Sequence, residues 1–200
     1  MNYKLLKTVL IASLLTSTIA VADTGDIFAG VSLGYTYTNI DQKDNTGSII
    51  LGNELEENGY NFKLEAGYQY TSNIDVLVNY QRVEFDDTYL NNFFLSTEYK
   101  CKKYNDLTPY LGGQLGFSQM HWKKNPINTL DNDYTSESYF IGVLAGISYP
   151  INEKLSLNVN YNLQYMDHDT QLESSPAHST LTHNYFHSFN IGVRWEFLST

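Results

Sequence analysis

Three groups of residues have the types and spacing that chemistry needs. His187 and Ser188 are adjacent, with Glu196 further along, and together they carry the side chains of a base, a nucleophile and an orienting carboxylate. Hydrolysis or acyl transfer by such a set requires the imidazole within hydrogen-bond reach of the hydroxyl. Asp167, His168, Asp169, His178 and His183 share one short polar stretch, and imidazole and carboxylate both suit a divalent metal. Lys63, Glu65, Glu98, Lys100, Arg194 and Glu196 are charged residues set inside apolar segments, where a charge persists only if paired. What any of these groups does depends on the elements that hold them.

The elements have a period of two. From Tyr60 to Tyr70, Tyr60, Phe62, Leu64, Ala66, Tyr68 and Tyr70 alternate with Asn61, Lys63, Glu65, Gly67 and Gln69. Leu155, Leu157, Val159, Tyr161, Leu163 and Tyr165 alternate with Ser156, Asn158, Asn160, Asn162 and Gln164. The pattern recurs over Tyr185–Phe197 and over Ile27–Tyr37. Successive side chains of a strand point to opposite faces, so each segment has one apolar and one polar face. Four looser strands are expected at Ile74–Phe85, Leu90–Cys101, Thr108–Met120 and Glu137–Tyr149. In the first of these Val83 and Phe85 fall out of phase, which predicts either a bulge near Arg82 or a strand end that has left the membrane.

The apolar face meets lipid rather than a core. Strands of a soluble sandwich need only about six residues, and these alternations approach the roughly 9–11 that a tilted membrane strand requires. Tyr and Phe gather at the ends of the apolar faces, as the two aromatic girdles of a membrane barrel would have them. In hydrocarbon every peptide group needs a partner, so the strands must close into a ring. Long polar stretches at Asp41–Gly59, His121–Ser136 and Asp167–Asn184 read as loops on one side, and Thr71–Asn73 and Pro150–Lys154 as turns on the other. Asp86–Tyr89 is the one connection shorter than this pattern expects. The fold class is therefore all-β, an eight-stranded antiparallel up-and-down transmembrane β-barrel.

The chain starts with Lys4 and Lys7, a short apolar run from Thr8 to Val21 and an Ala20-Val21-Ala22 end, the pattern of a cleaved secretory signal peptide over residues 1–22. The barrel domain is then 23–200. Without Lys4 and Lys7 it holds 10 basic against 22 acidic residues, a net charge of −12 that excludes nucleic acid as a partner. Cys101, the only cysteine, leaves no intramolecular disulfide and no cysteine-bound zinc site; on the lipid face it reads as a small apolar residue.

Three segments resemble the small outer-membrane barrels of the OmpA transmembrane-domain and OmpX type. Leu107-Thr108-Pro109-Tyr110-Leu111-Gly112-Gly113-Gln114-Leu115-Gly116-Phe117 is similar to that family's Pro-Tyr, glycine-rich strand. Tyr149–Leu155 is similar to its periplasmic turn and the strand after it, and Asn190–Phe197 to its closing strand. The resemblance implies the outer membrane of a Gram-negative bacterium, lipid and lipopolysaccharide as surroundings, and Trp195 and Phe197 as part of the signal read by the barrel-assembly machinery. Leu198-Ser199-Thr200 follow that signal, a departure from the family ending.

Placed on these strands, the candidate groups change meaning. His187 and Ser188 point to opposite faces, which spoils a nucleophile–base pair, and His187 becomes a girdle residue. Lys63, Glu65, Glu98, Lys100, Arg194 and Glu196 become an interior network of ion pairs, since an eight-stranded barrel is just wide enough for side chains to fill it. The histidine-rich stretch becomes a solvated loop, and no metal or other cofactor is expected. Trp122, Lys123 and Lys124 open the third long stretch, where they either meet lipopolysaccharide phosphates or a protein partner, or form part of the girdle with snorkelling lysines. The expected function is that of a monomeric, non-enzymatic envelope protein whose exposed loops contact an extracellular protein or surface ligand. A narrow pore or small-solute channel and a lipid A-modifying enzyme are the alternatives.

Overall fold

The computed structural model describes residues 25–45, 50–123, 135–174 and 177–197. Eight strands follow one another: β1 (Ile27–Asn45), β2 (Ile50–Thr71), β3 (Ile74–Glu84), β4 (Thr88–Lys100), β5 (Thr108–Trp122), β6 (Thr135–Pro150), β7 (Leu155–Ser174) and β8 (Ala177–Glu196). Each pairs antiparallel with the next, and β8 closes onto β1, so no strand edge is left unpaired. The expected architecture is borne out.

The alternation seen in the sequence sets the two faces. On β3, Asp75, Leu77, Asn79, Gln81 and Val83 point into the lumen, while Val76, Val78 and Tyr80 point out. There is no bulge near Arg82: β3 keeps one register with β4 from Ile74↔Tyr99 to Glu84↔Tyr89. Val83 and Phe85 are apolar because the lumen at their level is apolar, and both are buried there. The shifts in register lie elsewhere. One separates Thr38 from Ile40 against β8, another Tyr165 from His168, and a third lies between Gln69 and Thr71.

One end of the barrel carries short turns. Thr71 pairs with Ile74, leaving Ser72 and Asn73 as a two-residue turn. Ile151–Lys154 is fastened by Asn152, whose Oδ1 accepts from the backbone N–H groups of Lys154 and Leu155 at 2.9 Å. Between β4 and β5, Tyr104 and Leu107 exchange backbone hydrogen bonds around Asn105, whose φ of 52° suits an asparagine in a tight turn.

At the other end two of the expected loops are paired strands. β1 and β2 stay in register out to Asn45↔Ile50, and β7 and β8 out to Ser174↔Ala177. With 22 residues, β2 is about twice the length a membrane strand needs. Polarity misled here: a strand in water has no lipid-facing apolar row to announce it. β5 and β6 end nearer the barrel, with His121 paired to Thr135, and β3 and β4 are joined through Phe85–Asp87.

Outward aromatic pairs mark where the hairpins leave the apolar band. Tyr35 lies against Tyr60, Tyr80 against Phe93, Phe117 against Tyr139 and Tyr165 against Tyr185, with ring centroids 5.0–5.7 Å apart. Each pair consists of directly opposed residues of one hairpin, so all four hairpins contribute to a single level. Tyr70, Tyr99, Tyr149, Trp195 and Phe197 are exposed at the turn end. Two such girdles are what a membrane barrel presents to its two interfaces.

Candidate functional site

The lumen is built in tiers. Nearest the turn end is the ion network. Arg194 on β8 donates from Nε to Glu65 Oε1 at 2.7 Å, and forks onto Glu98 from its two terminal nitrogens at 2.9 and 3.2 Å. Lys63 holds the second oxygen of Glu65 at 2.9 Å, and Lys100 holds Asp75 at 2.9 Å. The strands bring these residues together because Glu65 and Arg194 both flank Gly30, whose missing side chain leaves room for the carboxylate. Three cations face three anions, so the buried charge sums to zero. Phe28 lies over the guanidinium at 4.6 Å. Lys63, Glu65, Glu98, Lys100 and Arg194 thus meet, joined by Asp75. Glu196 does not: one inward position beyond Arg194, it has already reached the rim and is half-buried.

Above the ions lies a belt of amides and hydroxyls. Gln164 donates to Gln114, Gln114 to Asn162, Asn162 to Asn160 and Asn160 to the Tyr110 hydroxyl. Asn190 also donates to Asn160, at 3.1 Å. Asn61 donates to Thr36 at 2.9 Å, and the Thr36 hydroxyl meets that of Ser188 at 2.9 Å.

The third tier is apolar. Val83, Phe85, Leu90, Phe94, Met120, Phe140, Met166 and Phe186 form one cluster, none more than 5% exposed. They come from β3 through β6, β7 and β8, with Phe85 in the short connection after β3, and Phe85 faces Phe186 with centroids 6.3 Å apart. Sequence reasoning missed this tier, although all these residues sit in the inward phase of their strands. Above it, His168 is wholly buried between two hydroxyls, with Nε2 2.9 Å from Ser118 Oγ and Nδ1 3.2 Å from Ser136 Oγ. The expected solvated loop is therefore barrel wall at His168. Among the described residues no three His, Cys, Asp or Glu side chains come together as a metal site. The side chains of Asp169, His178 and His183 lie outside the described residues.

His187 and Ser188 face opposite ways. The His187 ring is on the outer surface, with Nδ1 2.6 Å from the Tyr161 hydroxyl, and Ser188 is in the lumen. At the hairpin end, Trp122 closes β5 and Lys123 follows it. Lys123 Nζ meets Glu84 Oε2 at 2.9 Å and also donates to the Phe85 carbonyl, while Arg82 holds the other Glu84 oxygen and covers Tyr89 at 4.3 Å. Partial burial works to raise the Glu84 carboxyl, but the donors Lys123 and Arg82 outweigh it and hold the group below the usual carboxylate range. Lys124 lies outside the described residues. Trp195 and Phe197 are outward on the turn-end girdle.

The model of the outer membrane protein beta-barrel domain family matches residues 10–197. The chain belongs to this family. It is an outer-membrane barrel, its turn end periplasmic and its hairpin end extracellular. No curated protein sequence matches it. Among solved structures it is similar to Neisserial surface protein A, at 19% identity over 84% of this chain and 97% of that one, with a TM-score of 0.57. It is also similar to outer membrane protein AlkL, at 18% identity over 88% and 92%, TM-score 0.59. OprG from Pseudomonas aeruginosa aligns at 10% identity over 87% and 97%, TM-score 0.56. At these identities the likeness is one of fold.

Proposed function

We propose that this barrel is a non-enzymatic envelope protein that displays its extracellular hairpins to a surface ligand or protein partner. The observation that carries the reading is the contrast between its two regions. The lumen is packed in successive tiers of ion pairs, amides and apolar side chains, while β1–β2 and β7–β8 continue as paired strands beyond the girdle. From Tyr60 to Ile50 the outer part of β2 extends about 34 Å along the strand at ~3.4 Å per residue. A paired ribbon is a stiffer platform for recognition than a loop, since less conformational entropy is lost on binding. In this reading the chain is exported by the leader at residues 1–22, folded by the assembly machinery through Trp195 and Phe197, and works as a monomer among lipid and lipopolysaccharide.

The register designates the test. Gln42 pairs with Asn53 and Thr170 with Leu181, so residues 42–53 and 170–181 can each be replaced by Asn-Gly without disturbing the strands below. Bacteria displaying the full barrel should adhere to host cells or matrix proteins, and the trimmed barrel should not, while both show the same heat-dependent gel shift. Equal adherence of the two would overturn the reading, as would steady ion conductance of the full barrel in planar bilayers.

A further inference from the structure

The amide belt contains four oxygens with an unmet requirement. The side-chain carbonyls of Asn61, Asn158 and Asn190 and the hydroxyl of Ser32 are buried, and among the described residues none of the four meets a protein partner. All four side chains are at least nine-tenths buried, at 4%, 4%, 0% and 6% exposure for Asn61, Asn158, Asn190 and Ser32. Asn190 donates to the Asn160 carbonyl, which fixes its orientation, while Asn61 and Asn158 donate to the Thr36 and Ser156 hydroxyls. Turning Asn61 or Asn158 over would only exchange an unmet carbonyl for an unmet amide N–H, since a hydroxyl can donate as well as accept, so the polar requirement stays in either orientation.

The strand register puts the four on two adjacent rungs. Asn61, Gly34 and Asn190 are successive partners on one rung, and Ser32, Gly192 and Asn158 on the next. Glycine thus alternates with an oxygen-bearing side chain. The alternation is obligatory, because a Cβ on Gly34 would lie 2.3 Å from Asn190 Oδ1 and one on Gly192 2.4 Å from the Ser32 Cβ. An unpaired buried acceptor costs about 1–3 kcal/mol, and four together call for a ligand that brings donors. A metal ion is the wrong one: Lys63 pairs with Ser32 on the second rung, Arg194 stands on the rung beneath, and their carboxylate partners are already taken.

We propose that these two rungs are a water site, and that its water is enclosed. The ion network forms the floor, and the apolar tier from Val83 to Phe186 forms the lid. Buried water characteristically makes about three hydrogen bonds to otherwise unsatisfied groups, which two or three molecules here would find. The apolar lid supplies no hydrogen bonds to a passing water, so exchange with the outside is slow.

Water-edited solid-state NMR of the full barrel in lipid bilayers tests this, with Asn152 in a periplasmic turn as the exposed control. The side-chain amides of Asn61, Asn158 and Asn190 should receive water magnetisation, while the Phe140 and Phe186 rings do not. Asn190→Leu should abolish the transfer to Asn158; if that variant does not fold, Ser32→Ala should weaken it. Phe186→Ser should leave the transfer in place and speed the exchange of that water with bulk. No transfer to the three asparagines, in a sample where Asn152 receives it, would overturn the site. Transfer equal to that of Asn152, with exchange unchanged by Phe186→Ser, would overturn the enclosure.

Discussion

Arg194 is the residue on which most of the buried charge depends, since it alone touches both Glu65 and Glu98. Removing it leaves two carboxylates in the lumen with Lys63 as their remaining neighbour on the Glu65 side. Loss of one partner from a buried pair costs about 3–5 kcal/mol, most of it the burden of the stranded charge. Arg194→Met is therefore expected to lower markedly the temperature at which the fast-migrating folded band converts to the slow one. Glu196→Gln, two positions on but at the rim, should stay within about 0.5 kcal/mol of the parent. If the two variants melt alike, the ion network contributes nothing that a rim charge does not. At the other end, the Glu84 carboxyl is held below its ordinary range by Lys123 and Arg82. A carboxyl depressed in the folded state contributes stability above its unfolded pKa and loses it as pH falls through the folded one. The contribution is a rim effect in partial solvent, so the expected signal is local. Protection of the Lys123 amide, which donates to the Asp87 carbonyl, relative to its intrinsic exchange rate at each pH, should fall in acid in the parent and be low at all pH in Glu84→Gln.

Strands carry most of what was legible in the sequence, and the reason is geometric. Where one face meets lipid and the other a polar lumen, alternation is enforced residue by residue, and Tyr60–Tyr70 and Leu155–Tyr165 show it without exception. The rule fails at two kinds of place. Beyond the girdle neither face meets lipid, so the outer halves of β1, β2, β7 and β8 look like loops although they are fully paired. In the apolar tier the inward residue is itself hydrophobic, so Phe94 between Phe93 and Leu95, and Phe140 between Tyr139 and Ile141, cannot be told from their outward neighbours by polarity, while Val83 between Arg82 and Glu84 reverses the expected phase. Val83 and Phe85 were the visible sign of that tier, and the phase of Met120, Phe140, Met166 and Phe186 would have completed it. The ion network was readable as a set of inward charges. The belonging of Glu196 was not, because phase says which face a residue takes and not how near the rim it lies. The apolar tier makes its own prediction. A ring of apolar side chains excludes ions by refusing to hydrate, and Phe140→Ser with Phe186→Ser would break it on two strands. Bilayers containing the double variant should show conductance steps that the parent lacks, provided the variant keeps the heat-dependent gel shift. Silent bilayers from a folded double variant would mean that the ion network seals the lumen unaided.

For the whole molecule, closure and display are separable. β1 and β8 seal the barrel through pairs running from Phe28↔Glu196 to Thr38↔Phe186, and beyond a register shift they stay paired from Ile40↔His183 to Asn45↔His178. Only the part of the seam beyond that shift involves residues 42–53 and 170–181; the pairs below it, the ion network, the amide belt and the apolar tier are clear of them. The hairpin extensions continue the barrel wall into water as one four-stranded sheet, β2-β1-β8-β7, and the packed tiers of the lumen all lie below residues 42–53 and 170–181. The barrel therefore supports the hairpins, and the hairpins do little for the barrel. Replacing both segments by Asn-Gly should leave the chain in the outer membrane with a conversion temperature close to that of the parent. Gly34→Val makes the opposite case. Its side chain would run into the Phe189 carbonyl and the Asn190 amide, 2.3 Å from where the Cβ must go, beside the closing seam. A backbone clash there cannot be relieved by a rotamer, so this one substitution should abolish the fast-migrating band where the loss of 24 extracellular residues does not. Were the trimmed barrel to unfold and Gly34→Val to survive, stability would reside in the ribbons, and the sealed lumen could no longer be regarded as the scaffold on which they stand.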